Sequence, residues 1–279
     1  MTLTPWRWLC LPALLACGHA AAALPAPHTA AATPAFAWPN GHRAAVSLGY
    51  DDALDSQLDH AIPQLDRYGF KGSFYLQLSR EPVQRRMAEW RAAAAHGHEL
   101  GNHTLFHQCS GSAPGRDWVE PARDLDHTTA AQMRDQVLLA NVMLQALDGQ
   151  SRRTLTVPCG DVQAADGNYI PRIADQFVAI KLGEGAVVPD MATLDLHAVP
   201  VEAPVGVTGE QLIARVEDAA RRGTMVNFTF HGIGGDYLTV SNEAHEALLG
   251  YLAAHRDTYW VDTFLHITDY VQQQKSRSP

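Results

Sequence analysis

The sequence predicts an α/β fold in which a mostly parallel sheet is closed or nearly closed. Strand-like and helix-like segments alternate along the chain, which is the pattern of repeated βαβ units. Polar residues able to do chemistry follow several of the predicted strands directly. Because the carboxyl ends of parallel strands meet at one face, these residues are expected to share one site.

Short apolar runs predict the strands, at residues 44–50, 72–76, 98–100, 154–157, 177–180, 194–201, 225–230 and 259–261. The first of these runs is typical of a buried parallel strand. Amphipathic segments predict helices at residues 54–68, 82–95, 128–148, 170–176, 208–222 and 241–255, and one more helix closes the chain. Glycines end several of these segments, and Thr208 with Gln211 forms a capping box. Residues 108–127 predict a long loop, and long loops in compact domains often carry functional residues.

The amino terminus has the features of a secretory signal peptide over residues 1–23. One basic residue precedes a short apolar core, which is too short for the roughly 20 residues that span a bilayer. Lipid attachment at Cys17 is the alternative to cleavage near Ala23. Residues 24–38 are rich in Ala and Pro and predict a flexible lead-in, which leaves residues 39–275 for one domain. We therefore expect an exported protein, periplasmic or secreted, without a transmembrane segment after processing.

The formal net charge of −9 argues against a nucleic acid or an anionic lipid surface as partner. A neutral ligand fits this composition better. The sequence leaves the oligomeric state open.

Two motifs carry the candidate chemistry. Asp51 and Asp52 end the first predicted strand, where neighbouring side chains point to opposite faces, so the two carboxylates are expected to differ in role. His103 and His107 have the spacing that places two imidazoles on one face of a helical turn. With one carboxylate they would make a metal site with open positions for water and substrate. The alternatives are a helix cap for the aspartates and a solvated or packed face for the histidines.

His231 follows a predicted strand and precedes a glycine-rich loop, a position that suits a general acid. The alternative is a histidine that only caps a turn. His98 and Glu99, on the strand before the histidine pair, are expected to be structural. Cys109 and Cys159 are expected to form a disulfide in an oxidising compartment, with two free thiols as the alternative.

In this order the motifs resemble the polysaccharide deacetylases, carbohydrate esterase family 4. They are Tyr50-Asp51-Asp52, the stretch from Gly97 to His107, Pro158-Cys159-Gly160 and the strand that ends at His231. The resemblance covers residues from about 40 to 270. It implies a distorted (β/α)7 barrel that hydrolyses an acetyl group, usually an N-acetyl group, from a sugar.

The resemblance also implies residue roles. Asp52, His103 and His107 would bind zinc or another divalent transition metal, Asp51 would be the base and His231 the acid. The oxyanion and substrate contacts would come from three residues: Cys159 through its backbone N–H, Tyr50 and Phe230.

The chain departs from the family pattern at some of these positions. Thr156 stands where many members carry an arginine that orients the base, and Lys181 is the expected substitute, against the alternative of a surface lysine. Thr229 replaces an aliphatic residue of the acetyl pocket, so Phe228 or Phe230 is expected to line that pocket instead.

The sequence therefore predicts an exported deacetylase acting on an N-acetylated glycan of the chitooligosaccharide or peptidoglycan type. An O-acetyl esterase acting on xylan or another acetylated polysaccharide is the alternative within the same chemistry. A non-catalytic glycan-binding envelope protein is the alternative from another class, but it predicts loss of one or more of five residues that are all present. An unrelated metal hydrolase acting on a small amide is the last alternative.

Overall fold

A computed structural model describes residues 1–2 and 36–277 of the chain. The predicted signal peptide beyond its second residue, Cys17 and the lead-in up to residue 35 lie outside the described residues. None of the helices within the described residues has the length and apolar character needed to cross a membrane.

Ten strands and seven α-helices make up the described chain. The strands are β1 Ala44–Asp51, β2 Ser73–Leu76, β3 Glu99–Asn102, β4 Thr154–Thr156, β5 Gln163–Ala164, β6 Gly167–Asn168, β7 Ala179–Glu184, β8 Val199–Val201, β9 Met225–Phe230 and β10 Tyr259–Asp262. The helices are α1 Ile62–Tyr68, α2 Glu81–Arg85, α3 Met87–Ala95, α4 Ala130–Asp148, α5 Gly209–Arg222, α6 Asn242–Ala254 and α7 Phe264–Arg277. A π-helical turn, Gln57–Ala61, leads into α1. Single 3-10 turns are formed by Pro39–Gly41, Pro121–Arg123, Leu125–His127, Pro158–Gly160, Ile170–Arg172 and Ala174–Gln176.

Eight parallel strands form one sheet, in which β1 is the most connected strand. Along one edge β1 pairs with β10 at its start and with β2 at its end, and along the other edge it pairs with β9. The sheet continues through β2, β3, β4, β7 and β8. A single parallel bridge between Glu202 and Phe228 brings the chain after β8 to β9. The predicted α/β fold with a nearly closed parallel barrel of the (β/α)7 type is therefore confirmed.

Strand alternation separates an outer layer from a barrel interior. In β1 the residues Val46, Leu48 and Tyr50 pack outward in a cluster with residues of α1, α5 and α6. Ala45 faces the other way and packs in a second cluster with inward residues such as Tyr75 and Met225. This two-residue period follows from strand geometry. It places Asp51, at the end of β1, on the interior side.

Local signals predicted most helix ends correctly. Capping boxes at Thr129 and Thr208 begin α4 and α5, and Gly223 in the left-handed conformation ends α5. The helix predicted at 170–176 is wrong, because Ile173, with φ −130°, separates two single turns. The helix predicted at 82–95 is interrupted at Arg86, where φ is −115°. The predicted strand 194–201 contains only β8, and the short antiparallel β5–β6 hairpin was not predicted.

Candidate metal and active site

Four strand ends bring the candidate residues to one face of the barrel. Asp51 ends β1 and Asp52 follows it, His103 and His107 follow β3, Cys159 follows β4, and His231 follows β9. This is the carboxyl-terminal face, where parallel barrels place their reactive groups.

Asp51 and Asp52 diverge because the backbone turns between them. Asp51 is still in β-register with Tyr75, whereas Asp52 has φ 78° and Ala53 has φ 56°. Left-handed conformations are costly for residues with a side chain and occur often at functional sites. The turn directs Asp52 toward the two histidines, and both carboxylates are almost completely buried.

His103 and His107 converge on one oxygen of Asp52. Their Nε2 atoms lie 3.2 Å and 3.3 Å from Asp52 Oδ1. The predicted helical turn is wrong: Thr104, at φ 62°, and His107, at φ 55°, are left-handed, and the segment forms a loop. Hydrogen bonds hold this loop, since the Thr104 N–H donates to Asn102 Oδ1 at 2.7 Å and the His107 N–H donates to Thr104 Oγ1 at 2.9 Å.

The three side chains fit a metal ion. His103 Nδ1 lies 2.8 Å from the Thr156 carbonyl oxygen, which can only accept, so Nδ1 carries a proton. In the neutral ring that metal binding requires, the Nε2 lone pair would therefore face Asp52. Asp52 Oδ1 is buried and has no hydrogen-bond partner among the described residues. One ligand atom from each of the three residues lies within 4.8 Å of the others. A metal cation would bind the lone pairs that Asp52 Oδ1 and the two Nε2 atoms direct at one another. Histidine ligands usually donate their other ring N–H to a carbonyl or carboxylate, as His103 does to Thr156.

Two buried carboxylates dominate the electrostatics of the site, and in the absence of a metal ion they favour a proton on His103. Burial by itself lowers the pKa of His103, but the carboxylates of Asp51 and Asp52 outweigh it and raise that pKa to about 9. Burial and the charge of His103 lower the pKa of His107 to about 4. Burial raises the pKa of Asp52, yet the close His103 imidazole, together with those of His107 and His231, holds it well below its usual range. Asp52 is therefore ionised in the folded protein, and its buried negative charge is stabilised by a positive charge beside it.

The two proposed proton-transfer residues flank this set. Asp51 Oδ2 lies 3.8 Å from His103 Nε2, and Asp51 Oδ1 is buried without a hydrogen-bond partner in the described part of the chain. Burial raises the pKa of Asp51 despite the opposing charges of His103 and Lys181. His231 Nε2 lies 3.8 Å from Asp52 Oδ2. The structure thus brings together all five residues that the sequence singled out for metal binding and proton transfer.

A disulfide joins the loop after β3 to the loop after β4. Cys109 and Cys159 are bonded, with 5.9 Å between their Cα atoms. Cys159 has φ 57°, and Cys109 Sγ lies 3.5 Å from His107 Nδ1. The disulfide fixes the position of the His107 loop relative to the turn that carries Cys159.

Lys181 is completely buried in the barrel and is not a surface lysine. Its ammonium donates to the Phe228 carbonyl at 3.3 Å and to Thr229 Oγ1 at 3.4 Å, and lies 4.6 Å from the ring centroid of Tyr75. Burial lowers its pKa to about 8, while the charges of Asp51 and Glu99 act in the opposite direction. Lys181 therefore acts on Asp51 through its charge, and its own hydrogen bonds go to β9.

Tyr50 and Phe230 lie in the outer layer and not in the cleft. Both are fully buried, their rings stack with 5.5 Å between centroids, and the Tyr50 hydroxyl is 2.7 Å from Nε2 of His245 in α6. Phe228 and Phe230 share the outward side of β9, whereas Thr229 faces inward toward Lys181. The structure does not bring either phenylalanine to the acetyl pocket, because strand alternation assigns that side to Thr229.

His98 and Glu99 are structural, as predicted. His98 Nδ1 accepts the Gly72 N–H at 3.1 Å, and Glu99 accepts from the Ser73 hydroxyl at 2.6 Å and the Leu265 N–H at 3.0 Å.

Tyr237, in the glycine-rich loop after β9, was not identified from the sequence. Its hydroxyl donates to Asp52 Oδ2 at 2.7 Å. A lone tyrosine in a loop has no spacing signal, so only the fold could reveal this contact.

Three exposed aromatic side chains surround the site. Trp118 is 58% exposed and its ring centroid is 6.5 Å from that of His107; Tyr237 is 42% exposed and 6.3 Å from His231. Phe106, next to His107 in the chain, is 41% exposed. Large apolar side chains left in solvent beside a polar cleft often mark a ligand surface.

Comparisons with known proteins agree with the geometry. Residues 39–170 match the family model described as polysaccharide deacetylase. The predicted resemblance to the polysaccharide deacetylase family is confirmed. The deacetylase-family fold recurs in a probable polysaccharide deacetylase from Pseudomonas aeruginosa PAO1, with a TM-score of 0.58, 14% identity, and coverage of 88% of this chain and 96% of that one. It recurs in the peptidoglycan deacetylase PdaC from Bacillus subtilis, with a TM-score of 0.50, 16% identity, and coverage of 83% and 93%.

A curated relative is much longer than this chain. A gellan lyase from a Bacillus species is 26% identical over 259 residues, which cover 85% of this chain and 10% of that protein. The chain therefore spans about a tenth of the length of this relative.

Proposed function

We propose that this chain is an exported metal-dependent hydrolase that removes acetyl groups from an N-acetylated glycan of the chitooligosaccharide or peptidoglycan type. The observation that carries the proposal is the convergence of Asp52, His103 and His107, with Asp51 and His231 beside them. The match of residues 39–170 to the polysaccharide deacetylase family model supports the reaction class. The disulfide and the apolar amino terminus support export to an oxidising compartment.

Asp52 Oδ1 and the Nε2 atoms of His103 and His107 would hold a divalent transition metal, with zinc the first choice. Two imidazoles and one carboxylate are a frequent donor set that leaves coordination positions open. Such an ion supplies Lewis acidity, which polarises an acetyl carbonyl and makes water acidic enough to react near neutral pH.

The proton transfers fall to Asp51 and His231. Asp51 Oδ1, buried and without a hydrogen-bond partner among the described residues, is the atom that accepts a proton from the attacking water. His231 Nε2, on the other side of Asp52, donates a proton to the departing amine nitrogen. The backbone N–H of Cys159, in its left-handed turn, is the donor proposed for the oxyanion.

A glycan is the substrate class that the cleft surroundings favour. Trp118, close to His107, and Tyr237, close to His231, are exposed aromatic side chains, which suit the apolar faces of sugar rings.

The decisive experiment measures acetate release by the purified protein, metal-stripped and then reconstituted with zinc. Chitooligosaccharides, peptidoglycan fragments and acetylated xylan are supplied in parallel. Zinc-dependent acetate from an N-acetylated substrate is the expected result. Release from xylan alone would favour the O-acetyl esterase. Bound zinc without acetate from any substrate would favour a glycan-binding protein, and failure to bind zinc would contradict the metal site.

A further inference from the structure

We propose that Tyr237 is a positioning residue that fixes the Asp52 carboxylate for metal binding. The inference rests on the metal site of the proposed function and adds a residue to it.

The two oxygens of Asp52 have separate partners. Oδ2 accepts the Tyr237 hydroxyl at 2.7 Å, whereas Oδ1 faces the Nε2 atoms of His103 and His107 at 3.2 Å and 3.3 Å. Oδ1 has no hydrogen-bond partner in the described chain. The Tyr237 bond therefore occupies one oxygen and orients the other, so that Asp52 offers a single ligand atom toward the histidines.

The loop that carries Tyr237 is held by hydrogen bonds within itself. The Gly232 N–H donates to the Tyr237 carbonyl at 3.2 Å, the Val240 N–H donates to the Gly232 carbonyl at 2.9 Å, and the Gly234 N–H donates to the Val240 carbonyl at 2.8 Å. A Cβ on Gly232 would lie 2.0 Å from the Gly235 carbonyl oxygen. Only glycine fits at position 232, because the loop backbone folds back closely on itself there.

The residues on both sides of Tyr237 have left-handed backbone conformations. Asp236 has φ 60° and Leu238 has φ 47°, which is unfavourable for residues with a Cβ. The Asp236 carboxylate compensates locally by accepting the Ser56 N–H at 2.9 Å, which ties the loop to the segment before α1. The side chain between them is thereby directed at Asp52.

The Tyr237 ring is held as well as its hydroxyl. The Arg80 guanidinium lies 5.4 Å from the ring centroid, and the centroid of the His231 ring lies 6.3 Å from it. Removing the hydroxyl while keeping the ring should therefore leave the packing intact and free only Asp52 Oδ2.

The test compares Tyr237→Phe with a matched variant. Tyr251→Phe removes another tyrosine–carboxylate bond, the 3.0 Å contact from Tyr251 to Glu217 between α6 and α5. Zinc affinity is measured by competition of the metal-stripped proteins with a chromophoric chelator, and folding is checked by circular dichroism. Tyr237→Phe should bind zinc about 10- to 100-fold more weakly, the usual effect of losing a partner of a ligand. Tyr251→Phe should keep the wild-type affinity.

A second pair separates loop position from the hydroxyl. Asp236→Ala loses the bond to Ser56 and should weaken zinc binding, whereas Asp236→Asn keeps an acceptor oxygen and a tolerance for the left-handed region, and should retain most of the affinity. Wild-type affinity in Tyr237→Phe, or equal losses in Tyr237→Phe and Tyr251→Phe, would overturn the positioning role. A wild-type protein that binds no zinc would instead overturn the proposed metal site, so the two failures are distinguishable.

Discussion

Asp51 and Asp52 are adjacent in the chain, yet their carboxylates face different parts of the site. Asp52 Oδ1 is close to both His103 and His107, whereas Asp51 Oδ2 is 3.8 Å from His103 and its other oxygen is without a partner among the described residues. The φ of 78° at Asp52 separates them. One carboxylate can thus bind a metal while its neighbour remains free to accept a proton.

Asp51→Asn should keep the metal and lose turnover. An amide oxygen cannot accept the proton at neutral pH, so acetate release should fall by about 10²–10⁴-fold. Zinc content after dialysis and acetate release are both measured, with Asp117→Asn on the exposed loop as control. A near-normal rate would remove Asp51 as the base.

His107→Ala should release the metal. The change removes one of three ligand atoms, so zinc should be lost during dialysis, together with activity. His127→Ala, whose side chain is 76% exposed, is the control and should retain zinc. Unchanged zinc content in His107→Ala would exclude His107 from the ligand set.

Replacing both Cys109 and Cys159 by serine should destabilise the fold. A crosslink over a sequence separation of 50 residues stabilises by about 2–4 kcal/mol, chiefly by restricting the unfolded chain. The free energy of unfolding is measured in urea with and without reductant. Reductant should lower it in the wild type and leave the double variant unchanged; an equally stable double variant would contradict the expectation.

Lys181→Met should be more stable than the wild type near pH 7, and this advantage should shrink as the pH rises. Burial lowers the pKa of Lys181 from 10.5 to about 8, so below pH 8 the folded protein carries the full cost of a buried ammonium. Between pH 8 and 10.5 the folded state loses its proton before the unfolded state does, and wild-type stability rises. The cost is on the order of 3 kcal/mol. The free energies of unfolding of both proteins are measured in urea across this pH range. A difference between them that does not change with pH would contradict a lowered pKa of Lys181.

Trp118→Ala should weaken binding of a glycan with little effect on the chemical step. Loss of one stacking face should raise KM about 2- to 10-fold while kcat changes little. Leu139→Ala, at another exposed apolar residue, is the control. A fall in kcat without a change in KM would place Trp118 in a different role.

Sequence patterns predicted the parts of the molecule that local chemistry determines. The predicted capping box of Thr208 and Gln211 begins α5, because it satisfies N–H groups within four residues of sequence and does not depend on distant contacts. The order of strands and helices likewise predicted the parallel barrel. Asp51, Asp52, His103, His107 and His231 could be named because they follow strands whose ends meet.

Tertiary contacts determine what the sequence did not predict. The spacing of His103 and His107 suits a helical turn, but the bonds from Asn102 and Thr104 stabilise a left-handed loop instead. Tyr237 reaches Asp52 across 185 residues of sequence, a contact that no local pattern encodes. The side on which Phe230 lies follows from the register of β9 against β1, which places Phe230 opposite the outward-facing Tyr50.

The central place of β1 has a consequence for how the protein loses activity. Its backbone is hydrogen-bonded along both edges, to β9 on one side and to β10 and β2 on the other. Amides in such a strand exchange with solvent deuterium only when the whole domain opens. Asp51 is the last residue of that strand, is almost completely buried and still pairs with Tyr75 of β2. Thermal inactivation should therefore coincide with global unfolding, and the β1 amides should be among the slowest to exchange.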